Sequence, residues 1–322
     1  METPPDDLDT GDLVAALEDG WGIAPAAVEH APVGFGSHHW TCVDTDGRRW
    51  FLTVDDLDGA SFLGSDRTST LAGLRTAFSV ARSLRRSCAL EFVVAPVAAR
   101  DADVVRVIDG RYALAVLPYV EGRAQRFDHE RDRAERATVL AMLARLHSST
   151  TDVAPRTVDA VPSRHAVLDA LEQLSRPWSA GPFSELARAW LAAHESAALG
   201  AVDALTAYGT AAAPYVLTHG EPHPGNVMVT ASGPALVDWD TVGLAPPERD
   251  LWHVVVDDAD VALYEDLAGR RVDPSGLRMQ ALAWDVGELG AYLSVLRRPH
   301  VRDADTEVAW ATLSTLDLTV AR

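Results

Sequence analysis

The chain has 322 residues, 48% of them hydrophobic and 23% charged; this is enough apolar material for a large core and more length than one small module organises, so two lobes or one large α/β domain are expected. Its 47 acidic and 28 basic side chains leave a formal charge of -19, which counts against nucleic acid and anionic membrane surfaces as partners and favours cationic or metal-bound ones. Every basic side chain apart from histidine is an arginine, so chemistry that needs a side-chain amine must do without one.

The first element is a short amphipathic helix, with Thr10 or Asp12 at the capping position, Leu13 and Leu17 on one face and Gly20 ending it. From Val28 to Asp55 the pattern turns extended. A segment runs to Val33, the chain breaks at Gly34-Phe35-Gly36-Ser37, and segments His39 to Val43 and Trp50 to Val54 flank the turn Asp44-Thr45-Asp46-Gly47. Three antiparallel strands in a row are predicted. Leu71, Leu74, Phe78, Ala81 and Leu84 then recur at helical spacing, which predicts one crossing helix over Thr68 to Ser87. Strand patterns resume at Phe92 to Val94, Val104 to Val107 and Tyr112 to Leu117.

The break at Pro118-Tyr119-Val120-Glu121-Gly122 marks a lobe boundary and divides the chain into residues 1–118 and 119–322. Beyond it helices are predicted over Arg131 to His147, His165 to Leu174, Phe183 to Tyr208 and Met279 to Leu296, with strands only at Tyr215 to Thr218, Val227 to Val229 and Ala235 to Val237. The fold class is therefore α+β: a small N-terminal lobe with an antiparallel sheet and one helix, and a larger, mainly helical C-terminal lobe. Cys42 and Cys88 have neither the number for a disulfide framework nor the spacing of a zinc or redox site. The acidic start, Met1 to Thr10, does not read as a secretory signal, and no run of 18 apolar residues occurs, so a cytoplasmic chain without a membrane span is expected.

Chemistry concentrates in Thr218-His219-Gly220-Glu221-Pro222-His223-Pro224-Gly225-Asn226, a polar turn between two predicted strands. Asn226 follows Glu221 by five residues, and Asp238, in Val237-Asp238-Trp239-Asp240, follows Asn226 by twelve at the end of the next strand. A carboxylate, an amide and a carboxylate are the hard oxygen donors that suit Mg²⁺ bound through one or two side chains plus substrate phosphates. Glu221 is then free to orient or deprotonate an attacking hydroxyl.

This loop, with Asp238 after it, resembles the catalytic loop and metal site of the aminoglycoside phosphotransferase family, which has a protein-kinase-like fold. The similarity extends over most of the chain, from the glycine-bearing hairpin to Glu248-Arg249-Asp250-Leu251-Trp252, where the family often begins a helix with an aspartate. The resemblance implies Glu221 as catalytic base, Asn226 and Asp238 as Mg²⁺ ligands, and Gly34, Gly36, Ser37, Thr53 and Tyr119 as contacts for ATP or GTP. It implies transfer of the γ-phosphate to a hydroxyl of a small molecule, an aminoglycoside-like antibiotic or a metabolite. A kinase-like protein that binds nucleotide without transferring phosphate, or an enzyme that transfers a nucleotidyl group, are the alternatives.

The sequence departs from the family pattern at three places. The base is Glu221 where aspartate is usual; Thr53 stands where the third strand of a kinase-like lobe carries lysine; and the crossing helix has no acid to pair with such a lysine. Loss of both partners leaves no uncompensated buried charge. Arg67 and Arg75 are candidate replacements for the missing cation, His38 and His39 candidate phosphate contacts, and Asp240 a candidate for the metal shell. Asp250 is placed to start a helix and brace the loop, and Asp257, Asp258, Asp260, Glu265 and Asp266 form either a solvated face or a lure for a cationic substrate.

Overall fold

The computed structural model describes residues 1–59, 63–211 and 214–319. It divides into two compact units, Met1–Thr157 with Val216–Arg271, and Val158–Tyr215 with Val272–Arg322. In chain order the first half holds α1 (Thr10–Trp21), β1 (Pro25–Ala31), β2 (His38–Asp44), β3 (Arg49–Asp56), α2 (Arg67–Arg86), β4 (Arg106–Ile108), β5 (Tyr112–Pro118), β6 (Gly122–Ala124) and α3 (Arg133–His147). There follow α4 (Arg164–Glu172), α5 (Ser184–Ala193), α6 (Glu195–Ala211), β7 (Val216–Thr218), β8 (Val227–Thr230), β9 (Gly233–Leu236), β10 (Gly243–Ala245), α7 (Glu248–Leu251), α8 (Asp258–Ala268), α9 (Pro274–Leu296) and α10 (Ala304–Leu313).

The first unit is built on a five-stranded antiparallel sheet in the order β1-β2-β3-β5-β4. Strand periodicity sorts its side chains onto two faces. Leu52 and Val54 of β3 pack with Trp40, Cys42, Leu114 and Val116 against Leu13 and Leu17 of α1. Phe51, Ala113, Ala115 and Leu117 pack on the other side against Leu74 and Phe78 of α2. Thr53 and Asp55 alternate with Leu52 and Val54, and so fall on the α2 face with Phe51. Helix α1 is capped by Asp9 and not by Thr10 or Asp12, and Asp12 completes a capping box by accepting from the Asp9 amide.

Two small sheets carry the site: β6-β8-β9 and β7-β10, both antiparallel. Strands β6 and β10 are three residues long and too short to show a period, so the pattern misses them. The run Phe92 to Val94 is apolar but is not a strand; it makes one parallel bridge, Val93 with Leu236, and exchanges backbone bonds of 2.7 and 3.0 Å with Leu236. The acidic run near 257 is a helix start: Asp257 caps α8, and Arg136 pairs with Asp260 at 2.8 Å and with Asp257 at 3.3 Å.

The second unit is helical, with Val167, Leu191, Leu205, Val286, Leu289, Leu293 and Leu313 in its core. The single helix expected over Phe183 to Tyr208 is two, α5 and α6, broken at His194. There the His194 amide bonds back to Trp190 and Leu191, and its Nδ1 lies 2.7 Å from the Trp190 carbonyl oxygen while the ring stacks on that indole. This closes the first helix before the second starts. No helix among the described residues is long and apolar enough to cross a membrane.

Candidate active site

The loop between β7 and β8 is held from beneath by Asp250 of α7, which solvent does not reach. Its Oδ1 accepts from the Gly220 amide at 2.6 Å, and its Oδ2 accepts from the His219 amide and from His147 Nε2, both at 2.9 Å. Burial alone would raise the Asp250 carboxyl; the His147 hydrogen bond and the charges around it, Arg249's among them, outweigh that and hold it below the usual range. An ionised Asp250 only accepts, so His147 carries its proton on Nε2 and Nδ1 takes the Tyr264 hydroxyl at 2.6 Å.

Gly220 has φ +109, and a Cβ there would overlap the Arg249 guanidinium. That guanidinium donates to Thr218 Oγ1 and to the Thr241 carbonyl, tying β7 to the segment after β9. His219 accepts the Glu221 amide on Nδ1 at 3.1 Å and donates from Nε2 to the Val237 carbonyl at 2.9 Å. Burial pushes its pKa down to about 4. A histidine neutral in the folded state and ordinary when unfolded stabilises fully above pH ~6.5, and this contribution is lost as pH falls towards 4. The stability cost of His219→Gln, from urea unfolding, is therefore expected to shrink by about 2 kcal/mol between pH 7 and pH 5; an unchanged cost would refute a neutral His219.

Four carboxylates and an amide meet above this loop. Asn226 donates from Nδ2 to the Glu221 carbonyl at 3.0 Å and its own carbonyl accepts from Val237, so Asn226 links Glu221 to the segment that carries Asp238. Its Oδ1 has no partner among the described residues. Asp238 has φ +66, a left-handed conformation that costs a non-glycine residue about 1–2 kcal/mol and that aspartate tolerates better than most. Asp238 is exposed to solvent, yet the protein around its carboxyl and the charges of Asp240, Glu221 and Asp55 raise it above the usual range. Asp240 is raised by burial too, and Arg156 beside it pulls the other way. Burial brings Arg156 down to about 10; it remains a cation at neutral pH. The structure thus brings Glu221, Asn226 and Asp238 together.

The other sequence candidates lie in or beside the N-terminal strands and α2. Gly34 and Gly36, at φ +71 and +98, form an exposed turn whose carbonyls at Val33, Gly34 and Ser37 accept from the Met1 nitrogen. Ser37 donates to Asp55 Oδ1 at 2.6 Å. Thr53 lies in mid-strand between His39 and Ala115. The Tyr119 ring is covered by the Arg49 guanidinium at 3.5 Å, which also pairs with Glu121. Arg67 and Arg75 are not brought to the site: Arg67 forms a fork with Asp58, and Arg75 pairs with Asp103. His39 stacks on Phe51, and enclosure lowers its pKa to about 3, so it offers phosphate no charge. Asp55, His147, Arg156 and Arg249 belong to the site or its support and were not singled out from sequence.

Among the described residues no three His, Cys, Asp or Glu side chains are placed to hold a metal ion by themselves. The donor set still fits Mg²⁺, which takes hard oxygens from one or two side chains and leaves the rest of its shell to phosphate and water. Asn226 Oδ1 and the Asp238 carboxylate are such oxygens, and crowding by like charges gives Asp238 reason to welcome a cation.

No curated protein sequence matches the chain. Among solved structures it is similar to spectinomycin phosphotransferase APH(9)-Ia in complex with ADP and spectinomycin, at 15% identity and TM-score 0.71 over 98% of this chain and 97% of that one. It is also similar to the amicoumacin kinase hAmiN in complex with AMP-PNP and Ca²⁺ (13% identity, TM-score 0.57, 95% and 92% covered) and to the macrolide 2'-phosphotransferase MphH from Brachybacterium faecium (19%, 0.51, 97% and 99%). At these identities the likeness establishes the fold: α+β, with an antiparallel N-terminal sheet and a mainly helical C-terminal part. The sequence profile of the phosphotransferase enzyme family matches residues 30–284, most of the chain and all of the loop, amide and carboxylate arrangement described above, and on that ground the chain belongs to this family.

Proposed function

We propose that the chain is a Mg²⁺-dependent phosphotransferase that moves the γ-phosphate of ATP or GTP to a hydroxyl of a small molecule, an antibiotic or a metabolite. One observation carries this reading: Glu221, Asn226 and Asp238 converge on a loop that Asp250 fixes from within. The acceptor hydroxyl loses its proton to the Glu221 carboxylate while its oxygen bonds to the γ-phosphorus and the bond from that phosphorus to the departing nucleoside diphosphate breaks. Asn226 and Asp238 hold the Mg²⁺, which when bound neutralises phosphate charge. Gly34, Gly36 and Ser37 cover the phosphates, and Thr53 and Tyr119 line the nucleotide on the strand side, where Arg49 must leave the Tyr119 ring if a base is to stack there. The charge of -19 favours a cationic hydroxylated acceptor.

The test is product mass after incubation with MgATP or MgGTP and a panel of hydroxylated amines. Gain of a phosphoryl group is expected; gain of a nucleotidyl group, or no product over a broad panel, overturns the assignment. Asp238→Ala is expected to weaken Mg²⁺-dependent nucleotide binding by about 100-fold, ~2.7 kcal/mol, in calorimetry. Parent-like affinity in that variant would place the metal elsewhere.

A further inference from the structure

The reaction just described places no cationic side chain at the phosphates, yet Arg131 lies against the same loop. It is 9% exposed, and no other arginine among the described residues is buried as deeply. Strand β6 pairs with β8, and α3 starts behind the Asp132 cap, so the chain between them runs beside the loop and brings Arg131 to it. Its Nη2 donates to the Pro222 carbonyl at 2.7 Å and its Nη1 to the His253 carbonyl at 3.3 Å. Pro222 follows Glu221 directly, so the guanidinium is held one peptide from the proposed base.

Two carbonyls satisfy hydrogen bonds but bring no opposite charge. Among the described residues Arg131 pairs with no carboxylate, and its Nε–H meets no acceptor. The acid whose charge bears on it, Glu135, is engaged by the Asp132 amide, Gln125 and His129. Arg136, on the next turn and nearly as enclosed, pairs with both Asp257 and Asp260. A buried cation without a counter-charge is costly, and proteins ordinarily pair one or give it a ligand. Nor is the charge shared with the neighbouring imidazoles. Burial pushes His223 down to about 4 and His253 well below its usual range, with Arg131 adding to both shifts, whereas Arg131 itself falls only to about 10. At neutral pH both rings are uncharged and the guanidinium is not.

We propose that Arg131 binds a phosphate-type oxyanion, the phosphoryl group in passage from nucleotide to acceptor, and supplies the positive charge that Thr53, a neutral hydroxyl, does not. A guanidinium suits the task because its fork keeps the two carbonyls with one set of N–H groups and offers the others to phosphate oxygens. Held in place beforehand, it meets the charge on those oxygens without rearranging in the transition state. The inference rests on the proposed phosphotransfer, and its test separates the two.

The experiment measures inorganic phosphate binding to the whole protein by calorimetry, without nucleotide, beside steady-state turnover with MgATP or MgGTP and the acceptor identified by product mass. Arg131→Gln is expected to bind phosphate about tenfold more weakly than the parent and to lose about 10²-fold in kcat, with the nucleotide KM changed by no more than about twofold. Arg131→Lys, which keeps the charge and loses the fork, is expected to recover about tenfold of that kcat. No phosphate binding by the parent, parent-like phosphate affinity and kcat in Arg131→Gln, a loss confined to a KM, or equal losses in the two variants overturns the proposal and leaves Arg131 as a brace for the Pro222 carbonyl. Should Arg131→Gln fail to fold, the Arg131 Nε–H resonance of the parent, assigned by its loss in Arg131→Lys, decides: movement on adding phosphate is expected, and an unmoved signal is the overturning result. Phosphate binding that depends on Arg131, without transfer to any acceptor, sustains the anion site and sinks the phosphotransferase reading.

Discussion

Asp250→Ala is expected to lower the free energy of unfolding by about 3–5 kcal/mol and to abolish turnover with it, read by urea denaturation and by product formation on the same preparation. The carboxylate accepts from the His219 and Gly220 amides and from His147 Nε2 in a place water does not reach. Alanine strips all three donors of their acceptor at once, and each unsatisfied buried donor costs ~1–3 kcal/mol, less than additively because the three share one site. Arg249, also enclosed, loses a nearby counter-charge. Asp250→Asn keeps the shape and one acceptor oxygen but turns an N–H towards a donor, so about half that loss is expected. A loss below ~1 kcal/mol for the alanine variant would mean that the loop keeps its conformation without this anchor.

The strands and helices that were legible in the sequence are those in which burial is one-sided and the element is long. In β3, Leu52 and Val54 alternate with residues of the other face, and α2 shows one stripe from Leu74 to Leu84; both patterns follow from packing against a single core. Elements shorter than one period have no such signature. β6 and β10 are ladders of three residues whose partners lie about 105 and about 27 positions away, respectively, so only tertiary pairing defines them. Helix α8 was hidden differently: its capping and pairing acids, Asp257 and Asp260, look the same in a sequence as a solvated charge run, and Arg136, which pairs with them, is far off in the chain.

The proposed reacting groups were legible because they sit close together in the chain with a fixed spacing; the residues that support them were not. Glu221 and Asn226 share one turn, whereas His147, Arg156 and Arg249 reach that turn from separate segments, and an arginine in sequence gives no sign that it will be buried. Asp55 entered the sequence reading only as the last residue of the extended region from Val28. Ser37, eighteen residues earlier, and Asp240, far later, are what make it part of the site, and neither association leaves a local pattern. The missing lysine was visible as an absence, and the sequence offered Arg67 and Arg75 in its place; both are held by surface acids, an outcome that depends on where Asp58 and Asp103 fall in the fold.

Glu221→Gln is expected to lower turnover by about 10²–10⁴-fold, the usual worth of a positioned general base, with nucleotide affinity and unfolding free energy little changed. Asn226 donates to the Glu221 carbonyl, not to its side chain, and the Glu221 amide is held by His219. The backbone at this position is therefore set independently of the carboxyl, so the substitution removes proton acceptance and leaves the frame intact. The same frame decides the outcome for Glu221→Asp. With its amide and carbonyl both tied, the backbone cannot advance to make up for the lost methylene, and a carboxylate withdrawn by roughly 1 Å is expected to cost about 10²-fold in kcat. Equal or better turnover for aspartate would show that the acceptor moves to meet the base. Parent-like turnover for glutamine would show that the loose, dissociative transition state of phosphoryl transfer needs no base here, and that Glu221 serves to orient the hydroxyl alone.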